Sequence, residues 1–283
     1  AVGRMKLFSK LLLAGGILAV AEGFDRRLEV THWDLDFQNL PAEFDGFRIA
    51  HISDLHSESV PCLARAIADV KPDIIVITGD ILHDDDRPTA GVFAFLEQLL
   101  DIAPVYMVSG NHDLWNTSLH DFLHRACAAG VHFIDDRMEI LDRGGAQIAV
   151  FGMRDPFGKA PGVIKKSLSR SVRTLPDYDG FKILLFHRAN QFEKIKDLGF
   201  DLILSGHMHG GQVRLPGVGG VLPPKSSLVE NERGVLFPNY CAGVFKSSGT
   251  TMLVNRGIGN PMIIPRLFNR PELGIVTLRK SEE

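Results

Sequence analysis

Asp54 and His56, Asp80, Asn111 and His112, His187, and His207 and His209 share one feature: each group follows directly on a short apolar run. Residues 48–53 (RIAHIS) lead into Asp54-Leu55-His56, and residues 74–78 (IIVIT) into Gly79-Asp80. Residues 105–109 (VYMVS) lead into Gly110-Asn111-His112-Asp113, residues 182–186 (KILLF) into His187, and residues 201–205 (DLILS) into Gly206-His207-Met208-His209. These side chains are of metal-ligating types, and glycine beside a ligand lets the backbone turn sharply and come close to an ion or phosphate. With His112 set aside, two Asp, one Asn and four His give seven donors. That is too many for one tetrahedral ion and suits two ions sharing a carboxylate. Imidazole and carboxylate without thiolate favour Mn, Fe, Zn or Co over Ca or Mg. Two ions about 3.5–4 Å apart clamp both oxygens of an in-line phosphoryl displacement. The chemistry these residues point to is hydrolysis of a phosphoester at two divalent metal ions.

The elements that must position such a set alternate in kind. The five apolar runs read as strands, as do residues 146–151. Helices are expected over residues 60–70, 92–100, 119–129 and 191–198, the third ended by Gly130 at a C-cap. Strands alternating with helices predict an α/β sheet covered on both faces, with the site where strand ends meet loops. The chain has 283 residues, 45% of them hydrophobic and 23% charged, enough for a substantial core. The formal net charge of −3 excludes the basic footprint of a nucleic-acid binder, so no nucleic-acid partner is expected. Three scattered cysteines exclude a disulfide framework or a cysteine zinc site.

Asp-x-His, Gly-Asp, Gly-Asn-His-Asp, a lone His and Gly-His-x-His, in this order, resemble the calcineurin-like metallophosphoesterases over roughly residues 47–278. The resemblance implies an α/β fold of two β-sheets sandwiched and flanked by helices. It implies that Asp54, His56 and His209 hold one ion, that Asn111, His187 and His207 hold the second, and that Asp80 bridges them. Mn is the first choice of metal, with Zn or Fe as alternatives. A hydroxide between the ions would then attack phosphorus in line while His112 protonates the leaving oxygen, and Asp113 would orient the His112 ring. Residues 206–216 (GHMHGGQVRLP), 255–259 (NRGIG) and 268–272 (FNRPE) resemble a bacterial branch with an N-terminal membrane segment. That branch contains cell-wall-associated phosphodiesterases and the UDP-2,3-diacylglucosamine hydrolases of lipid A synthesis, which cleave a pyrophosphate to UMP and a lipid sugar phosphate. The expected substrate is thus a phosphoester or a nucleotide-lipid. A non-catalytic metal-binding scaffold on the same fold is the rival class, disfavoured because the full donor set and His112 are present.

Residues 1–23 form a separate segment before a domain at 24–283. Arg4, Lys6 and Lys10 precede the uncharged run 11–21, too short for the roughly 20 residues of a helical span. It reads as a secretory signal, a retained interfacial anchor or a plain apolar helix. The first two predict membrane association: a cleaved signal would export the domain, whereas a retained anchor facing the cytosol suits the lipid A reading. The oligomeric state is open at this level. Arg214 and Arg256, in glycine-rich loops, are candidates to meet substrate phosphate, with a surface role as the alternative. Asp113 has the alternative of a helix cap, and His51 reads as a core histidine. His83, with Asp84 to Asp86, reads as a solvated loop that could border the substrate channel. Residues 237–245 read as core with a rim that could face lipid. The apolar residues 218–222 and 262–268 suit either buried packing or a lipid substrate.

Overall fold

The computed structural model describes residues 23–85, 87–156, 161–224 and 236–281. The leading segment 1–22, where a signal or anchor is expected, and Asp86 of the acidic run lie outside the described residues.

The described strands, in chain order, are β1 (Glu29–Phe37), β2 (Arg48–Ile52), β3 (Ile74–Thr78), β4 (Val105–Val108), β5 (His132–Phe133), β6 (Arg137–Arg143) and β7 (Ala146–Met153). They continue with β8 (Lys182–Arg188), β9 (Leu202–Gly206), β10 (Arg214–Leu215), β11 (Gly219–Gly220), β12 (Gly243–Ser247), β13 (Thr250–Val254) and β14 (Glu272–Lys280). The helices are α1 (Leu63–Val70), α2 (Ala90–Leu100), α3 (Asn111–Trp115), α4 (Leu119–Ala129), α5 (Pro161–Thr174) and α6 (Phe192–Ile195).

The strands divide over two six-stranded sheets, β1-β14-β2-β3-β4-β5 and β12-β13-β9-β8-β7-β6, with β10-β11 a separate small hairpin. Alternate side chains of each strand serve different layers. Ile74 and Val76 of β3, and Ile183 and Leu185 of β8, point into the core between the sheets. Ile75 and Ile77 instead meet Leu63 and Ile67 of α1, Leu96 of α2 and Phe122 of α4. Leu184 and Phe186 meet Leu168 of α5 and Phe192 of α6. Burial on both faces explains why the strands read as unbroken apolar runs, and the result is the helix-flanked two-sheet sandwich.

The central strands β2, β3, β4 run parallel in the first sheet, and β7, β8, β9 in the second. Their following loops therefore emerge at common sheet edges. Helix α4 ends as expected at Gly130, whose φ of 113° only glycine adopts without strain. The expected helix over 191–198 is instead a 3-10 turn (Ala189–Gln191) running into the single turn α6. The amide of Leu198 closes onto the Ile195 carbonyl, and Gly199 turns the chain at φ 78°. All three cysteines are free. No described helix is long and apolar enough to cross a membrane.

Candidate metal centre

The ends of β2, β3 and β4 supply Asp54, His56, Asp80 and Asn111, and the ends of β8 and β9 supply His187, His207 and His209, all at most 2% exposed. Polar groups this dry need partners, and their donor atoms face one another. His209 Nε2 lies 3.3 Å from Asp54 Oδ1 and 3.4 Å from His56 Nε2. His187 Nε2 lies 3.1 Å from Asp80 Oδ2 and 3.1 Å from His207 Nδ1. Asp80 Oδ2 is also 3.7 Å from His56 Nε2, so its carboxylate faces both groups.

These separations match donors around one tetrahedral ion at 2.0–2.1 Å, which sit about 3.3 Å apart. Among the described residues, the buried Asp54 Oδ1 and both side-chain amide atoms of Asn111 find no hydrogen-bond partner. Two clusters, Asp54/His56/His209 and Asp80/His187/His207, therefore fit divalent cations.

Three of the remaining atoms are tied down by hydrogen bonds. His187 Nδ1 donates to the Thr78 carbonyl at 2.8 Å, which turns Nε2 toward Asp80. Asp54 Oδ2 accepts from the His207 amide (2.9 Å) and Asp80 Oδ1 from the His112 amide (2.7 Å). Asp54, His56, Asp80, His207 and His209 have φ between 48° and 72°, the left-handed region that costs a non-glycine residue energy and collects at functional sites. Gly79 allows the turn after β3 at φ 92°, where a Cβ would fall 2.6 Å from the Gly110 nitrogen.

Electrostatics follow the geometry. Burial opposes ionising Asp54 and Asp80, yet the imidazoles of His209 and His187 hold both carboxyls below the ordinary range. Burial opposes charging His187, but Asp80 and Asp54 raise it to about 10. His207 and His209 are pushed down by burial, His209 to about 3.

His112 stands at the edge of this set, its ring centroid 4.7 Å from that of His56. Asp113 does not orient that ring. Its carboxylate accepts the amides of Gly110 (2.8 Å), Asp80 (2.7 Å) and Leu82 (2.8 Å), binding the loop after β3 to the loop after β4. The carboxylate beside the His112 ring is Asp84, 3.3 Å from Nδ1. His83, expected in a solvated loop, stacks on His112 at 5.2 Å and lies 3.3 Å from the same Asp84. Asn116 holds the His83 loop through the carbonyls of His83 and Asp85. Sequence distance was the available signal for His83, three residues beyond Asp80.

Two further residues were missed. Arg266, 3% exposed, donates to the Gly259 carbonyl at 2.6 Å and stands 3.4 Å from His209 Nδ1. Arg188 forms a buried bidentate pair with Asp155, at 2.8 and 3.1 Å, immediately after His187.

Of the arginines expected at substrate, Arg214 lines an open cavity of about 910 Å³ shared with Asn190, Met208, Phe237 and Tyr240. That cavity adjoins the metal-ligand loops, since Met208 lies between His207 and His209. Arg256 is instead held between Glu29 (3.1 Å) and Glu272 (3.0 Å), a structural ion pair fastening β1 and β14. His51 is a core histidine, bonded through Nε2 to Thr78 Oγ1 at 2.8 Å. Residues 237–245 are core only in part: Cys241 is buried and Phe237 exposed.

Fold and site together define a metal-dependent phosphoesterase, and residues 47–211 match the calcineurin-like phosphoesterase family. The chain belongs to that family and is a hydrolase. It is 28% identical to the uncharacterized metallophosphoesterase YkuE of Bacillus subtilis, over 95% of this chain and 94% of that one. It is 29% identical to the phosphodiesterase YaeI of Escherichia coli, over 82% of each chain. It is 24% identical to the UDP-2,3-diacylglucosamine pyrophosphatase LpxG of Chlamydia muridarum, over 88% of each. Among solved structures, the phosphopantetheinyl hydrolase PptH of Mycobacterium tuberculosis superposes with a TM-score of 0.50 at 12% identity, covering 75% of this chain and 91% of that one. That likeness shows the fold alone.

Proposed function

We propose that the chain hydrolyses the pyrophosphate of UDP-2,3-diacylglucosamine, or of a closely similar nucleotide-lipid, to UMP and a lipid sugar phosphate. The observation that carries a dinuclear phosphoesterase is the pair of buried His/Asp clusters facing a common carboxylate, Asp80, with His112 beside them. Asp54, His56 and His209 would hold one divalent ion, Asn111, His187 and His207 the other, and Asp80 would bridge. Such ions supply positive charge that lowers the pKa of water to near neutral and neutralises phosphoryl oxygens. Mn is the proposed metal.

This chain's residues supply the rest. The Thr78 carbonyl keeps the His187 lone pair pointed inward. The His112 amide holds Asp80 Oδ1, so the backbone that carries the proton donor also fixes the bridging carboxylate. Burial lowers the pKa of His112, with Asp80 and Asp84 opposing in part, which makes its protonated ring a stronger acid toward the leaving oxygen. The cavity lined by Arg214 has room for the organic part of a large ester, and Arg214 places a cation there for a second phosphate.

The LpxG resemblance supports the nucleotide-lipid substrate. The resemblance to YaeI supports a second reading, a membrane- or wall-associated phosphodiesterase of broader specificity. The deciding assay is UMP release from UDP-2,3-diacylglucosamine by Mn-loaded protein, with His112→Ala alongside. Release that vanishes in the variant supports the first reading. Cleavage of bis(p-nitrophenyl) phosphate without UMP release supports the second. Loss of neither activity in the variant removes His112 from the chemistry.

A further inference from the structure

Nine large apolar side chains stand more than a third exposed among the described residues, and all but Val30 and Ile140 come from four segments. Phe24 is the second described residue, Leu215 and Val218 lie on the β10–β11 hairpin, Phe237 follows its neighbour Leu236, and Ile263 and Ile264 occupy the loop before Arg266. Ile263 is wholly exposed and Val218 is 66% exposed.

Hydrogen bonds join these segments into one face. Val213 bridges to Leu267, and the Phe268 amide donates to the Gly23 carbonyl at 2.6 Å. The Phe237 amide donates to the Val221 carbonyl at 2.9 Å, and the Gln212 side chain donates to the Ile264 carbonyl. The same loops border the metal centre: the Leu222 amide donates to the Gly211 carbonyl two residues past His209, and Arg266 stands against His209 itself.

An apolar patch of this kind, concentrated on loops, marks an interaction surface. The leading sequence chooses its partner. The chain arrives at this face at Gly23, directly after the sequence in which Arg4, Lys6 and Lys10 precede the uncharged apolar run 11–21. Cations followed by apolar residues suit an anionic lipid surface. We propose that this face seats on a lipid bilayer, Val218, Phe237, Ile263 and Ile264 entering the headgroup region. His209 is then one loop away from the lipid headgroups. The seating does not depend on which phosphoester is cleaved.

The test uses the full chain with one tryptophan added at a time, Ile263→Trp, Val218→Trp and, away from the face, Ile140→Trp. Trp33 and Trp115 give the background, measured in the unsubstituted chain. Vesicles of phosphatidylcholine and phosphatidylglycerol are prepared with plain or brominated acyl chains. Brominated lipid is expected to quench the added emission at 263 and 218 severalfold more than at 140. Equal emission in both vesicles at 263 and 218, or no vesicle binding, overturns the proposal. A lipid-free dimer that Ile263→Asp dissolves would give the face to a second copy instead. Added emission at 263 that iodide cannot quench without lipid would give it to the chain's own residues, and either result also overturns the proposal.

Discussion

At the scale of single residues, the centre is built from groups held against their own preferences. Five of its side chains sit on left-handed backbone, and seven are dry. The fold must supply the energy for both, which is why Gly79 and the Asp113 carboxylate crowd the same few ångströms. His112 differs: its ring stands beside the Asp54/His56/His209 and Asp80/His187/His207 clusters, against His83 and Asp84, while its backbone amide holds Asp80. His112→Ala should therefore lower kcat by about 10²–10⁴-fold while leaving the metal content, measured by atomic emission, unchanged. His187 gives a second prediction. Without a cation, Asp80 and Asp54 hold its pKa up at about 10, so at pH 7 it carries a proton that an ion must displace. Loading chelated protein at pH 7 should release about one proton per chain. Because a raised pKa keeps the proton bound as pH falls, metal affinity should fall with it. Titration calorimetry in buffers of different ionisation enthalpy reads that release, and identical heats across buffers would refute it.

At the scale of elements, the strand ends were legible because burial on both faces writes a continuous apolar run, and the residue after the run carries the chemistry. Residues 74–78 and 182–186 announce β3 and β8 in this way. β14 was not legible, although it is buried along most of its length. It lies between β1 and β2, partners more than two hundred residues away, and no local turn signals that pairing. β1 hides for the opposite reason, since alternate residues face solvent and dilute its apolar character. The role of Asp113 could not be read from spacing. Gly-Asn-His-Asp places it one residue from His112, and only the approach of the loop after β3 shows that its carboxylate serves three amides. That approach makes Gly110 critical: a Cβ there would lie 2.2 Å from Asp80 Oδ1 and 2.4 Å from the Asp80 amide. Gly110→Ala should displace the Asp80 carboxylate, proposed to bridge, and abolish metal binding in the same analysis, in contrast to His112→Ala. The Arg188–Asp155 pair joins the ends of β7 and β8 in a dry setting. Arg188→Ala leaves the Asp155 charge buried and unpaired and should destabilise the chain by about 3–5 kcal/mol in urea unfolding. A change under about 1 kcal/mol would mean that Asp155 neutralises itself by taking a proton, a course its raised pKa favours.

At the scale of the whole molecule, the centre spans the seam of the sandwich. Asp54, Asp80 and Asn111 belong to the first sheet and His187, His207 and His209 to the second, so each proposed ion takes donors from both. The apolar core between the sheets holds them without metal along most of their length. At the strand ends, however, the protein brings carboxylates and imidazoles together with no hydrogen-bonding partner among the described residues for Asp54 Oδ1 or the Asn111 side-chain amide. Ions that satisfy those atoms bind the folded chain alone, because the donors are scattered once it unfolds. Binding at a hundredfold excess over Kd then adds about 2.7 kcal/mol per ion. For a chain of this size each kcal/mol raises Tm by roughly 2–4 °C, so two ions should raise it by roughly 10–20 °C over the chelated protein. His209→Ala removes a donor from one cluster and leaves the other, and should keep about half of that rise, a ratio that depends on the two sites binding with similar strength. Thermal unfolding against Mn concentration measures both. A Tm indifferent to chelation would show that the sheets close without help from metal. A rise abolished altogether in His209→Ala would show that the two sites fill only together, which the shared Asp80 carboxylate makes the one other outcome consistent with a bridged pair.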